Sequence, residues 1–266
     1  MITAVDVGAT KVLVAQFGAH GRPVGTTRFL TPQKPHDFLK QLYEHLDALD
    51  NIDCIVIGVP GIVDDSGVLL RCSNLPWKHM AVKQLLTERY NVPVYVENDA
   101  KLAALSEITH LSPRPRLGLY LTVSTGIGGG IILDGKLLPA FRNGEPGHIR
   151  LHFNGEWQQW QQFASGRALT AHFGKEAHDF TRETEWRDVA DRLSRGLMTI
   201  IPTLQPEVIV FGGGVGNFFE HFDDLLEDKL KALTPYIDLP KLRKAHHANE
   251  AVLYGCYRYA TTHISS

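Results

Sequence analysis

The chain opens on short apolar blocks separated by polar, glycine-containing turns. Ile2 to Val5 is largely apolar, Asp6-Val7-Gly8-Ala9-Thr10 makes a tight turn, and Lys11 to Phe17 is rich in β-branched residues before Gly18 and Gly21. This spacing predicts strand, turn and strand, with a third strand around Thr26 to Leu30 completing an antiparallel meander. From Pro35 the period changes, because Phe38, Leu42, Leu46 and Leu49 recur at helical spacing. A short buried strand, Cys54 to Gly58, is expected next, and strand and helix alternate from there. Ala81 to Tyr90 reads as a helix, Val92 to Val96 as a strand, and Ala100 to Thr109 as a helix entered directly from the corner Glu97-Asn98-Asp99.

The pattern restarts after the proline-rich break at 112–116. Leu117 to Val123 and Gly130 to Leu133 read as strands around a glycine-rich turn, a second meander. Trp186 to Leu204 is helical, Val208 to Phe211 a strand, Gly212-Gly213-Gly214 a turn, and Phe218 to Leu233 an amphipathic helix. The last helix, Ala248 to His263, has no strand after it and is expected to pack back on the first half. One supersecondary plan used twice, without residue-level repetition, implies two related lobes with a cleft between them. The expected division is 1–110 completed by 248–266, and 111–247. No low-complexity linker and no N-terminal helix-turn-helix is read.

Composition narrows the classes. A chain of 266 residues with 44% hydrophobic content buries a core without disulfide or metal staples. A net charge of −2 creates no general attraction to polyanions, so nucleic acid is not an expected partner. The three cysteines, Cys54, Cys72 and Cys256, form no CxxC pair and no His/Cys cluster, and are expected as reduced, mostly buried thiols. Asp6 and Lys11 interrupt the N-terminal apolar stretch where a signal peptide is continuous, and no run of about eighteen apolar residues occurs. A cytoplasmic protein with no membrane partner is expected.

Three glycine-bearing turns each follow an apolar strand: Asp6 to Lys11, Ser124 to Gly130, and Gly212 to Gly214. Glycine lets backbone N–H groups approach a phosphate, and Thr and Lys add donors. Each turn alone is equally explained by hairpin geometry. Neither the Walker A nor the GxGxxG pattern is present. Asp99 has two readings, a helix N-cap or a carboxylate at a cleft mouth that accepts a proton from a substrate hydroxyl. Asn98 would then hold a neighbouring hydroxyl. In Gly144-Glu145-Pro146-Gly147-His148, a carboxylate and an imidazole can bracket adjacent sugar hydroxyls, or simply occupy a surface turn.

Taken together, DVGATK at 6–11, VPG at 59–61, ENDAKLAALSE at 97–107, LTVSTGIGGGI at 121–131, GEPGH at 144–148, ASGRAL at 164–169 and PEVIVFGGGV at 206–215 resemble the ROK family of bacterial sugar kinases and sugar-responsive repressors. The resemblance covers nearly the whole chain. It implies an α/β, two-lobe, actin-like ATPase (ribonuclease H-like) fold whose cleft holds ATP, Mg²⁺ and a sugar. Asp6 would orient the metal through water, Gly8, Thr10 and Lys11 would line the phosphate path, and Thr125 and Gly126 would contact the β and γ phosphates. Gly213 and Gly214 would sit by the adenosine. Asn98, Asp99, Glu145 and His148 would hold the sugar, with Asp99 also the base. Many relatives are dimers, so the resemblance implies a homodimer.

Two departures matter. Where the family commonly carries a zinc-binding CxCGxxGC segment after its GH motif, this chain reads HIRLHFNGEWQQWQQFASG. One histidine is not a zinc site, so no structural zinc is expected, and Trp157, Trp160 and Phe163 are expected to pack the segment. Gln161 stands where the family has a sugar-binding Glu, and its amide still donates and accepts. Ala9 replaces a common Gly and is tolerated if its φ is negative. The expected activity is an ATP-dependent hexose or N-acetylhexosamine kinase acting on the 6-hydroxyl. A polyphosphate-dependent kinase and a non-catalytic sugar sensor are the alternatives.

Overall fold

The structure, a computed structural model, describes residues 1–72, 74–233 and 237–264. The chain divides into two compact units, Met1–Ser106 with the C-terminal segment from Glu250, and Glu107–Asn249.

In the first unit β1 (Ile2–Val7), β2 (Lys11–Phe17) and β3 (Pro23–Leu30) form the expected antiparallel meander. α1 (Pro35–Asp47) starts on a proline, whose fixed φ suits a first helical turn, and buries Phe38, Leu42 and Leu46. β4 (Cys54–Val59) is buried along its whole length because it lies between β1 and the later strand β8 (Val94–Asn98), parallel to both. β5 (Gly61–Val63), β6 (Leu69–Cys72) and β7 (Lys78–Met80) form a small separate sheet that the hydrophobic pattern did not predict. α2 (Val82–Tyr90) ends on Asn91 in the left-handed conformation, β8 spans Val94–Asn98, and α3 spans Asp99–His110. The main sheet runs β3-β2-β1-β4-β8.

The second unit repeats that order. β9 (Leu117–Val123), β10 (Ile127–Leu133) and β11 (Lys136–Leu137) form the antiparallel part. β12 (Arg150–Phe153) and β13 (Glu156–Gln159) make a hairpin, followed by α4 (Trp160–Ala164), α5 (Gly166–Phe173) and the long α6 (Glu183–Leu204). β14 (Val208–Gly212) then lies parallel to β9, with a single helical turn α7 (Gly213–Gly216), helix α8 (Asp223–Leu233) and β15 (Lys241–Lys244) after it. The sheet order is β11-β10-β9-β14-β15. α9 (Ala251–Ile264) closes the chain and packs on β1 and β4 of the first unit, burying Leu253, Cys256 and Ala260 against Ala4, Ala15, Phe17 and Val56.

The amphipathic helix expected from Phe218 begins only at Asp223. Phe219 and Phe222 both enter the core against Phe211, with ring centroids 5.4 and 6.2 Å away, and Trp186 packs on Phe218, His221 and Phe222. A 3-10 turn, Phe219–His221, takes the place of the first helical turn, with Phe219 and Phe222 buried and Phe218 half-buried at the pocket wall. Trp157 also departs from expectation. It is 65% exposed on the outward face of the β12–β13 hairpin, whereas Trp160 and Phe163 are buried. Trp160 fills a notch over Gly196, where a Cβ would lie 2.2 Å from the indole, and donates its N–H to the Arg192 carbonyl at 3.0 Å. All three cysteines are free thiols and buried. Among the described residues no helix is long and apolar enough to cross a membrane.

Candidate functional site

The candidate residues fall into two groups, one in each unit. In the first unit the β1–β2 turn is closed by the Gly8 N–H, which donates to the Lys11 carbonyl at 2.9 Å. A Cβ on Gly8 would lie 2.9 Å from that same oxygen, so the turn requires glycine. Thr31 braces it from behind, donating its N–H to the Thr10 carbonyl at 3.0 Å and its hydroxyl to the Gly8 carbonyl at 2.7 Å. Ala9 keeps a negative φ, as its methyl demands.

Strand register places Asp6 opposite Gly58, and Gly58 opposite Glu97. Asp6 and the Asn98-Asp99 corner therefore share the carboxyl ends of three parallel strands, the usual ligand side of an open α/β sheet. Gly58 allows this closeness, since a Cβ there would lie 2.6 Å from Val252 and 3.6 Å from the Asp99 Cα. Burial pushes the Asp6 carboxyl up to about 7; the neighbouring Asp99 charge acts in the same direction and the Lys11 ammonium opposes it. Two acidic groups are thus held close enough to feel each other.

The cap of α3 falls to Asn98. Its Oδ1 accepts the Lys101 N–H at 3.2 Å and its amide donates to the Gly61 carbonyl at 2.9 Å. Asp99 is the first helical residue, and its Oδ1 accepts the adjacent Ala100 N–H at 2.8 Å. A carboxylate at that position also sits in the favourable field of the helix N-terminus.

In the second unit the β9–β10 turn carries Thr125 and Gly126. Gly166 donates its N–H to the Ser124 carbonyl at 2.7 Å, so the start of α5 is pinned on this turn. Ser165 caps α5 by accepting the Ala168 N–H at 3.3 Å. Beside the turn lies a pocket of about 740 Å³, lined in part by Thr125, Arg167, Thr170, His178, Gly214 and Asn217. Gly213 has φ +80°, and a Cβ there would lie 2.7 Å from the Thr122 hydroxyl; a Cβ on Gly214 would meet nothing within 4 Å. The first glycine is needed to turn the chain, and the second leaves the pocket open.

On the other side of the same turn, a Cβ on Gly126 would lie 2.9 Å from the Gln161 Oε1. Gln161 donates from its amide to Gln159 at 3.1 Å. The 3-10 turn Pro146–His148 packs on β10 and α4, and Gly147 permits it, because a Cβ there would lie 2.2 Å from the Ile127 carbonyl oxygen. Glu145 is half-buried and His148 exposed at the two ends of this turn. The structure thus gathers Thr125, Gly126, Gln161 and the Glu145–His148 turn at one end of β9 and β10, and joins Thr125 to Gly214 through the pocket. Sequence reasoning missed Arg167, His178 and Asn217 as pocket residues. Arg167 lies in the ASGRAL segment, which was a usable signal; His178 and Asn217 had none.

A match to the ROK family extends over residues 2–262. The N-acetylmannosamine kinase of Escherichia coli (strain SE11) is 31% identical over 281 aligned residues, with 95% of each chain covered. The ROK hexokinase of Thermus thermophilus superposes with a TM-score of 0.83 at 28% identity, covering 99% of both chains. A ROK glucokinase from Streptomyces griseus, solved with glucose and AMPPNP, superposes with a TM-score of 0.82 at 24% identity over 98% of this chain and 99% of its own, a likeness of fold. The architecture described above is accordingly the two-lobe, actin-like ATPase fold. Because the family match runs from the first strand into the C-terminal helix, the chain belongs to the ROK family.

Proposed function

We propose that this protein is a cytoplasmic sugar kinase that transfers the γ-phosphoryl group of ATP to a hydroxyl, the 6-hydroxyl, of a hexose or N-acetylhexosamine. One observation carries the reading. Asn98 takes the cap of α3, and Asp99 stands next in the chain as a carboxylate near enough to Asp6 to oppose its ionisation. A carboxylate held at the ends of parallel strands, and not required as the cap, suits the proton acceptor of phosphoryl transfer.

The remaining roles follow from chemistry. Asn98, Glu145, His148 and Gln161 offer donors and acceptors for sugar hydroxyls. Gly8, Thr10 and Lys11, with Thr125 and Gly126, offer backbone N–H groups, hydroxyls and an ammonium to the phosphates. Gly213 and Gly214 border the space for the adenosine. The donor set also fits Mg²⁺: Asp6 would hold it through water, and a divalent cation relieves the opposition between the two carboxylates. When bound, the ion neutralises phosphate charge. A pocket of about 740 Å³ lined by Thr125 and Gly214 has room for a nucleoside, for which polyphosphate has no use, and this favours ATP as donor.

The test is a coupled assay of ATP and polyphosphate against glucose, mannose, fructose, allose and N-acetylated hexosamines. ATP-dependent phosphorylation of one or more of these sugars is expected. A protein that binds sugar and transfers phosphate from neither donor is a sensor, and the proposal fails.

A further inference from the structure

Away from the residues assigned above, three imidazoles of the second unit converge. His110 ends α3, and His246 and His247 stand in the turn after β15. Each offers one ligand nitrogen, and the three nitrogens lie within 4.8 Å of one another. The rings of His110 and His246 are stacked with centroids 4.0 Å apart, and His247 stands edge-on to them at 5.0 and 4.8 Å.

Glu107 organises the cluster. It lies one turn before His110 on the same face of α3, with a side chain only 2% exposed. Its carboxylate accepts the backbone N–H of His246 at 2.5 Å and of His247 at 2.9 Å, and faces His247 Nδ1 at 3.0 Å. A carboxylate on Nδ1 holds the proton there and leaves the lone pair on Nε2, the arrangement by which metal-binding histidines are commonly oriented. The turn is therefore fixed by a buried charged group, whereas His110 and His246 are exposed to an arriving ion.

We infer that His110, His246 and His247 form a binding site for a divalent transition-metal ion of the Zn²⁺ class, with Glu107 as the orienting carboxylate. An all-imidazole donor set suits Zn²⁺, Ni²⁺, Co²⁺ or Cu²⁺; Mg²⁺ and Ca²⁺ require oxygen ligands. Metal–nitrogen bonds of about 2.0–2.1 Å set tetrahedral ligand nitrogens about 3.4 Å apart, so the rings need to close by roughly an ångström or more, within reach of side-chain rotation. The expectation of no structural zinc is argued from the 148–166 segment but made for the whole chain, so one zinc held at these different residues would overturn it. The ligands lie within a few residues of both points at which the chain passes between its units, so a bound ion cross-links the two connecting segments.

The experiment titrates the full-length protein with Co²⁺ and Zn²⁺ in the presence of excess Mg²⁺, which occupies oxygen sites. Cobalt absorbance, calorimetry and the melting temperature are the readouts. One ion per chain, with a rise in Tm, is expected. His110→Gln and His246→Gln should each weaken binding by about tenfold or more, and Glu107→Gln by about 10–100-fold. Glu107 also anchors two backbone N–H groups, so the exposed His110→Gln variant is the arm least exposed to misfolding. Absence of stoichiometric binding in the presence of Mg²⁺, or binding unchanged in both histidine variants, overturns the assignment.

Discussion

Replacing Asp99 by Asn removes a carboxylate while keeping the side chain's volume and most of its hydrogen-bonding capacity. If Asp99 accepts the proton of the attacking hydroxyl, kcat should fall by about two to four orders of magnitude. Sugar and nucleotide affinities should change far less, and Tm should hold, because the cap of α3 belongs to Asn98. Asn98→Ala has the complementary expectation, a loss of about 1 kcal/mol of stability from the missing cap. Steady-state kinetics and thermal melts on the two variants check this division. Full turnover in Asp99→Asn would place catalysis elsewhere.

At the scale of a turn or a helix, adjacent residues of one type have different jobs. Gly213→Val introduces a β-branched side chain at φ +80° against the Thr122 hydroxyl, and should destabilise the protein outright. Gly214→Val places its side chain in open space at the pocket wall. It should leave Tm nearly unchanged while weakening nucleotide binding, with sugar affinity in the absence of nucleotide near normal; paired calorimetric titrations decide. Helix α6 offers a pH test. The buried Glu185 carboxylate at its start pairs with Lys175 at 2.8 Å and Arg182 at 3.0 Å, and also accepts the Arg182 and Thr181 N–H groups. The Lys175 ammonium foremost, with these further contacts, holds its pKa down from 4.5 to about 2. A depressed carboxylate stabilises the fold above its unfolded pKa and loses that contribution as pH falls toward the folded value. The Tm difference between wild type and Glu185→Gln should therefore be full near neutral pH and shrink between about 4.5 and 2.

For the molecule as a whole, the C-terminal helix is part of the first unit's core. Leu253, Cys256 and Ala260 cover Ala4, Ala15 and Val56, and Gly255 lets α9 approach α3 so closely that a Cβ would lie 2.0 Å from the Leu102 carbonyl oxygen. Gly255→Leu should cost about 1–3 kcal/mol or more by overpacking. Truncation after Asn249 should expose the apolar face of β1 and β4 and make residues 1–106 sensitive to proteolysis. Limited proteolysis with mass spectrometry reads this directly. A truncated chain as resistant as wild type would show that α9 is dispensable.

Local signals in the chain sufficed for much of this. The two meanders, helices α1, α2 and α6, and the strand-to-helix corner Glu97-Asn98-Asp99 were legible because hydrophobic period, glycine turns and a proline start are properties of neighbouring residues. Seven motifs in a characteristic order carried the family resemblance, and with it the candidate site. Tertiary structure alone assigned the cap to Asn98, since that depends on which side chain reaches the Lys101 N–H. It buried Trp160 but left Trp157 outside, because only the assembled core decides which face of a hairpin is covered. It replaced the first turn of the helix expected from Phe218 with a 3-10 turn, Phe219–His221, a change in local winding that the hydrophobic spacing of 218, 219 and 222, compatible with one helical face, does not reveal. It also brought Glu107 and His110 to His246 and His247, residues whose separation along the chain leaves no local pattern, and which meet only because α3 and the turn after β15 pack together.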